Sequence, residues 1–182
     1  KKLSEELKKV KDLLDVDNPD TPTESLTVKQ KKKLQEYQKD LEKKQERISK
    51  ISDAFDDLYH GTDEKTGIDS IPDKAFVQPS DQKNIEQLIK DIEELLDKNN
   101  GNLTEKQKKQ LQQNKADLIE KLKEAAKKDI EAAYQERVKE INETITDAAR
   151  RESTVKKASE IAENAKKEIN QASDLSAITS KR

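Results

Sequence analysis

The segment LQEYQKDLEKKQERISKISDAFDDL, residues 34–58, decides the fold class. Its stripe runs Leu34, Tyr37, Leu41, Lys44, Ile48, Ile51, Phe55 and Leu58, spaced three and four apart in turn, with Lys44 the one polar member. That period puts the stripe on one face of an α-helix in a heptad pattern, whereas a strand would alternate every second residue. The helix is predicted to start at Val28, with Thr27 as its N-cap, and to end near His60. Gly61 supplies the stop, and a cation at His60 would suit the carbonyl end of the helix dipole. At the usual rise per residue such a helix is about 50 Å long.

The same reading extends outward in both directions. Leu3, Leu7, Val10 and Leu14 predict a first helix over Leu3 to Asp15. Between the two helices, Asn18-Pro19-Asp20 and Thr21-Pro22 cannot continue a helix. On the other side, residues 62–79 hold Gly67, Pro72 and Pro79 among the apolar Ile68, Ile71, Phe76 and Val77, so a long apolar loop is expected. Ser80 is the expected cap of a third helix reaching about Lys98, which Asn99-Asn100-Gly101 ends. Thr104 is the cap of a last and longest stretch, whose stripe runs from Leu111 to Ala172 with Lys115 in one apolar position. The stripe weakens at Arg150-Arg151-Glu152-Ser153-Thr154, where a break or kink is expected; one continuous helix over 105–173 is the alternative.

The start of the second helix comes back later in the chain. Leu26-Thr27-Val28-Lys29-Gln30-Lys31-Lys32-Lys33-Leu34-Gln35 returns as Leu103-Thr104-Glu105-Lys106-Gln107-Lys108-Lys109-Gln110-Leu111-Gln112, with eight of ten positions matching at an offset of 77. Upstream, Leu13-Leu14-Asp15 matches Leu95-Leu96-Asp97 at an offset of 82, a difference that a first loop five residues longer accounts for. Downstream, Leu41 pairs with Leu118 before the similarity fades. A degenerate duplicated helical hairpin follows. The expected fold is all-α: an elongated antiparallel helical bundle or coiled coil with a long final helix. The expected parts are a first hairpin over 1–61, a linker loop over 62–80 packed on or between the hairpins, and a second hairpin with a helical extension over 81–182.

Both copies place lysines in the first turns after Thr27 and Thr104, where the helix dipole disfavours them. These clusters could meet an anionic surface such as teichoic acid, heparin or nucleic acid. They could instead face the acidic end of the preceding helix, Asp12 and Asp15 or Glu93, Glu94 and Asp97, and favour one pairing of helices over others.

Composition narrows the function. Of 182 residues 42% are charged and only 30% apolar, with three Tyr, two Phe and no Trp, which suits thin helical packing and not one thick core. The 37 basic and 39 acidic residues leave a net charge of −2, so no basic field draws nucleic acid or anionic lipid, and neither is expected as a partner. No stretch is apolar enough for membrane insertion. Absence of Cys removes disulfides, zinc-thiolate sites and thiol nucleophiles. His60 is the sole histidine and is expected as a solvated helix end; Asp63, Glu64 and Asp69 lack the spacing of a calcium loop. No Gly-rich phosphate loop is present, so no enzyme activity, cofactor or metal is expected. The chain opens Lys1-Lys2 and has no Met, so a fragment or processed form is expected, and its Lys-rich, Arg-poor usage suggests an AT-rich coding sequence.

The pattern of an apolar helix, a polar loop, Leu-Thr-x-x-Gln-Lys-x-x-Leu at Leu103–Leu111 and a second helix resembles the helical repeats of Gram-positive cell-wall-anchored surface proteins, of which the GA and FIVAR type modules are examples. The likeness covers about residues 84–125, and 3–45 more loosely; the loop at 62–79 and the extended final helix depart from it. The resemblance implies three-helix modules on the bacterial surface, outside the cell, that build stalks or act as adhesins for a host plasma or matrix protein. On that reading any partner-binding surface is expected to include Ile68, Ile71, Phe76 and Val77, unless these residues plug the bundle. A cytosolic coiled-coil scaffold and an exported virulence factor are the other readings, and the chain is expected as a monomer or a weak coiled-coil dimer.

Overall fold

The structure, a computed structural model, describes residues 2–15, 26–99 and 101–180. The fold is all-α: the described residues form six α-helices and no strand. The helices are α1 (Lys2–Leu14), α2 (Val28–His60), α3 (Gln82–Lys98), α4 (Glu105–Thr144), α5 (Ala148–Gln171) and the short α6 (Leu175–Thr179). The expected loop residues at 16–25, with Pro19 and Pro22, lie outside the described residues, as does Asn100.

The duplicated start signals act identically. Gln30 N–H donates to Thr27 Oγ1 at 3.3 Å while Gln30 Oε1 accepts from Thr27 N–H at 2.8 Å. At α4, Gln107 N–H donates to Thr104 Oγ1 at 3.2 Å and Gln107 Oε1 accepts from Thr104 N–H at 2.9 Å. Each Thr-x-x-Gln is a reciprocal capping box that satisfies two backbone donors the first turn would otherwise leave free. The basic first turn is therefore offset by capping.

The chain forms two compact units, Lys1–Phe55 and Asp56–Arg182. In the first unit α1 packs on α2 through buried Leu7, Val10 and Leu41, with Leu3, Leu14 and Leu34 partly buried around them. Lys11 Nζ crosses to Glu42 at 3.4 Å. Gln38 Nε2–H donates to the same carboxylate, and these two contacts hold the Glu42 pKa below its ordinary value. Residues 42–50 of α2 are all exposed, Ile48 at 59% included.

The second unit is built around α4, which packs against α3, α5, α6 and the 3-10 turn at Pro79–Asp81. Ile85, Ile89 and Ile92 of α3 and Leu111, Leu118 and Leu122 of α4 are fully buried. Glu93 pairs with Lys115 at 2.7 Å, so the stripe lysine, and not the Lys cluster of the first turns, carries this cross-hairpin bridge. On the other side α5 runs back along α4: Lys166 Nζ meets Glu131 at 2.5 Å, and Lys123 Nζ donates to Asn170 O at 3.4 Å. Ala162, Ile169 and Ile178 close that side.

The long final stretch is two helices, and the break falls at 145–147, just upstream of the expected 150–154. Asp147 is the N-cap, accepting from Arg150 N–H at 2.7 Å. Arg151 folds back to donate to the carbonyls of Ile145 and Thr146 at 2.9 and 3.2 Å, satisfying the acceptors that the end of α4 exposes. Thr154, in the stretch where the break was expected, donates its hydroxyl to Arg150 O inside α5 at 2.7 Å.

Candidate functional site

The loop between α2 and α3 starts from a glycine that the turn requires. Gly61 has φ +79°, and a Cβ there would collide with the carbonyl oxygen of Lys65. Its N–H closes the end of α2 on Asp57 O at 2.8 Å, and Thr62 N–H and Lys65 O then tie the chain back at 2.9 Å. His60 is exposed, with Nδ1 3.0 Å from Asp69 Oδ2. Asn114 Nδ2 donates to Tyr59 Oη at 2.5 Å, fastening the end of α2 to α4, and Lys65 Nζ reaches Asp91 at 3.2 Å, fastening the loop to α3.

The four apolar residues singled out in sequence separate here. Ile71 and Val77 are buried, Val77 completely; Ile68 is half-buried; Phe76 is 70% exposed. Ile71 and Val77 therefore serve as core, and Phe76 is the one member wholly offered to solvent. It sits on a turn in which Asp73 O accepts from both Phe76 N–H (2.8 Å) and Val77 N–H (3.2 Å).

Three side chains fix that turn. Lys128 Nζ donates to Ala75 O at 2.9 Å and to Val77 O at 2.7 Å, bracketing Phe76 on both sides. Gln78 Nε2 donates to Phe76 O at 3.2 Å. Lys74 Nζ pairs with Glu120 at 3.0 Å; hydrogen bonds from Lys123 and Lys74 lower the pKa of that carboxylate. An ammonium donating to two carbonyls is a strong local tether. Lys128 and Gln78 went unnoticed in the sequence because nothing distinguishes one lysine from the other 31 until the loop is seen to cross it.

The arrangement is an exposed aromatic on a turn whose backbone carbonyls are tethered by Lys128 and Gln78. Among the described residues no group of three or more His, Cys, Asp or Glu side chains converges as a metal site would require. Among them, too, no helix is long and apolar enough to cross a membrane. No family model matches the chain, and no curated protein or solved structure matches it either.

Proposed function

We propose that this chain is a non-enzymatic, extracellular surface module of a Gram-positive bacterium, a stalk or adhesin that engages a host protein through the turn carrying Phe76. The observation that carries the reading is the 70% exposure of Phe76 on a turn whose flanking carbonyls are pinned by Lys128. A turn whose backbone is already tethered needs little ordering on binding, and aromatic residues including Phe are enriched at interfaces. The Lys- and Glu-rich surface around it is otherwise poor in the aromatic and Arg groups that form hot spots. The resemblance of Leu103–Leu111 to surface-protein repeats supplies the compartment.

The test is retention of proteins from host plasma and matrix extracts on immobilised wild-type chain and on Phe76→Ser. On this reading one retained protein drops at least tenfold with Phe76→Ser while the melting temperature stays unchanged. Equal retention by both chains would sink it.

A second reading, a coiled-coil scaffold, is favoured by Ile48, 59% exposed on the heptad stripe of α2. It requires a dimer in sedimentation that Ile48→Lys dissolves.

A further inference from the structure

The two hairpins have nearly interchangeable apolar seams. Leu7 and Val10 of α1 correspond to Ile89 and Ile92 of α3 at the offset of 82, and Leu41 of α2 to Leu118 of α4 at the offset of 77. All six are buried. Aliphatic side chains of similar size pack against one another with little preference. These matched positions do not by themselves stop α1 from lying on α4, or α3 on α2.

The charges across the hairpins do distinguish them. Lys11 on α1 pairs with Glu42 on α2 at 3.4 Å, whereas the corresponding residue on α3 is Glu93, which pairs with Lys115 on α4 at 2.7 Å. The polarity of the bridge is inverted between the copies. In the repeat register Lys115 corresponds to Gln38, one helical turn from Glu42, so a long side chain at the Lys11 or Glu93 position reaches either place. Exchange of partners would put Lys11 against Lys115 and Glu93 against Glu42.

We propose that this inverted pair is a sorting device that keeps each duplicated helix with its own partner, within one chain and between copies of the chain. An exposed ion pair is weak alone, but exchange loses two attractions and gains two repulsions. That amounts to roughly a tenfold preference for the native pairing. The device answers a hazard that duplication creates: two similar seams in one chain invite swapped hairpins and exchanged dimers.

The experiment inverts one bridge at a time. Lys11→Glu with Glu42→Lys keeps the first hairpin's bridge but gives it the polarity of the second, so exchanged pairings become attractive. Glu93→Lys with Lys115→Glu does the same from the other side, and all four changes together restore the discrimination. Each chain is refolded at high concentration with a spin label at Lys8→Cys, an exposed position of α1 in a chain without cysteine. The label broadens amide signals of α2 in the native pairing and of α4 in the exchanged one, and sedimentation detects exchanged dimers. Each double reversal should raise the exchanged population about tenfold. The fourfold reversal should return it to the wild-type level. At 1 M salt the wild type should approach the double variants, because the Debye length falls to about 3 Å. Double reversals that stay at the wild-type level, or a fourfold reversal that stays exchanged, would overturn the proposal.

Discussion

At Lys128 one side chain decides whether a loop is a fixed surface. Its ammonium donates to the carbonyls of Ala75 and Val77, and no other side chain brackets Phe76 in this way among the described contacts. Lys128→Met keeps most of the aliphatic stem and removes both bonds. Hydrogen bonds to charged groups contribute about 1.5–3 kcal/mol when buried, and partial exposure here brings the expected loss to about 1 kcal/mol. Denaturant titration of the variant should therefore show a modest fall in stability, with hydrogen exchange accelerated at the amides of Phe76 and Val77. Exchange rates unchanged at those two amides would mean that the turn at Asp73 holds itself. The sequence foretold an apolar loop at 62–79 but could not separate its members. Val77 and Phe76 are adjacent and both apolar, and only the path of the backbone over α3 and α4 sends one inward and the other out.

The starts of α2 and α4 were legible, because a capping box is a local interaction between residues three apart, whereas Ser80, expected to cap α3, lies in the 3-10 turn Pro79–Asp81 ahead of it. Thr27 with Gln30 and Thr104 with Gln107 form the same bonds at both copies. Thr104→Ala should cost about 1 kcal/mol in chemical denaturation, and Thr27→Ala a similar amount in the local stability of α2. A value near zero at Thr104 would mean that the first turn of α4 draws its order from packing and not from the cap. The break between α4 and α5 was less legible. The stripe weakens at 150–154, yet the break comes at 145–147 with Asp147 as the cap, and Arg151 donates from inside α5 to the Ile145 and Thr146 carbonyls of the connection. That contact runs backwards by five and six residues, a pattern that side-chain periodicity does not register. The fading of the repeat after Leu118 also has a packing cause. Ile119, Leu122 and Ala126 of α4 correspond to Glu42, Gln45 and Ser49 of α2. The first three are buried in a helix that carries neighbours on more than one side, while the polar three lie in the exposed stretch of α2. Duplication kept the seam that closes each hairpin and diverged on the second face.

Over the whole molecule, the dense charge predicts how stability follows pH. Glu42, Glu46, Glu120 and Glu131 have pKa values held below 4.5 by hydrogen bonds and nearby lysines, and Lys98 and Lys166 have values held above 10.5 by their glutamates. A depressed carboxylate stabilises the fold above its unfolded pKa and loses that contribution as pH falls through the folded one; a raised lysine stabilises below its unfolded pKa and loses that contribution as pH rises through the folded one. Melting temperature should therefore form a plateau between about pH 4.5 and pH 10.5 and fall on both sides, with the slopes flattened by salt. A steady slope across neutral pH would contradict this. Stability should also be uneven along the chain. The first unit buries Leu7, Val10, Leu41 and Ile51, whereas the second buries apolar residues from α2, the loop, α3, α4, α5 and α6. Local opening free energies follow the number of buried apolar contacts, so α1 should open well below the global unfolding free energy. Leu41→Ala and Leu118→Ala are matched tests, since the two leucines are equivalent in the repeat and are 2% and 0% exposed. Each should cost about 2–4 kcal/mol where it sits. For Leu41→Ala, hydrogen exchange should show α1 stripped of protection while α4 keeps its own. Leu118→Ala should lower protection throughout α3, α4 and α5. If Leu41→Ala lowered protection in α4 as much as in α1, the chain would be unfolding as one cooperative body, with α2 carrying the coupling through Phe55 and Asp56.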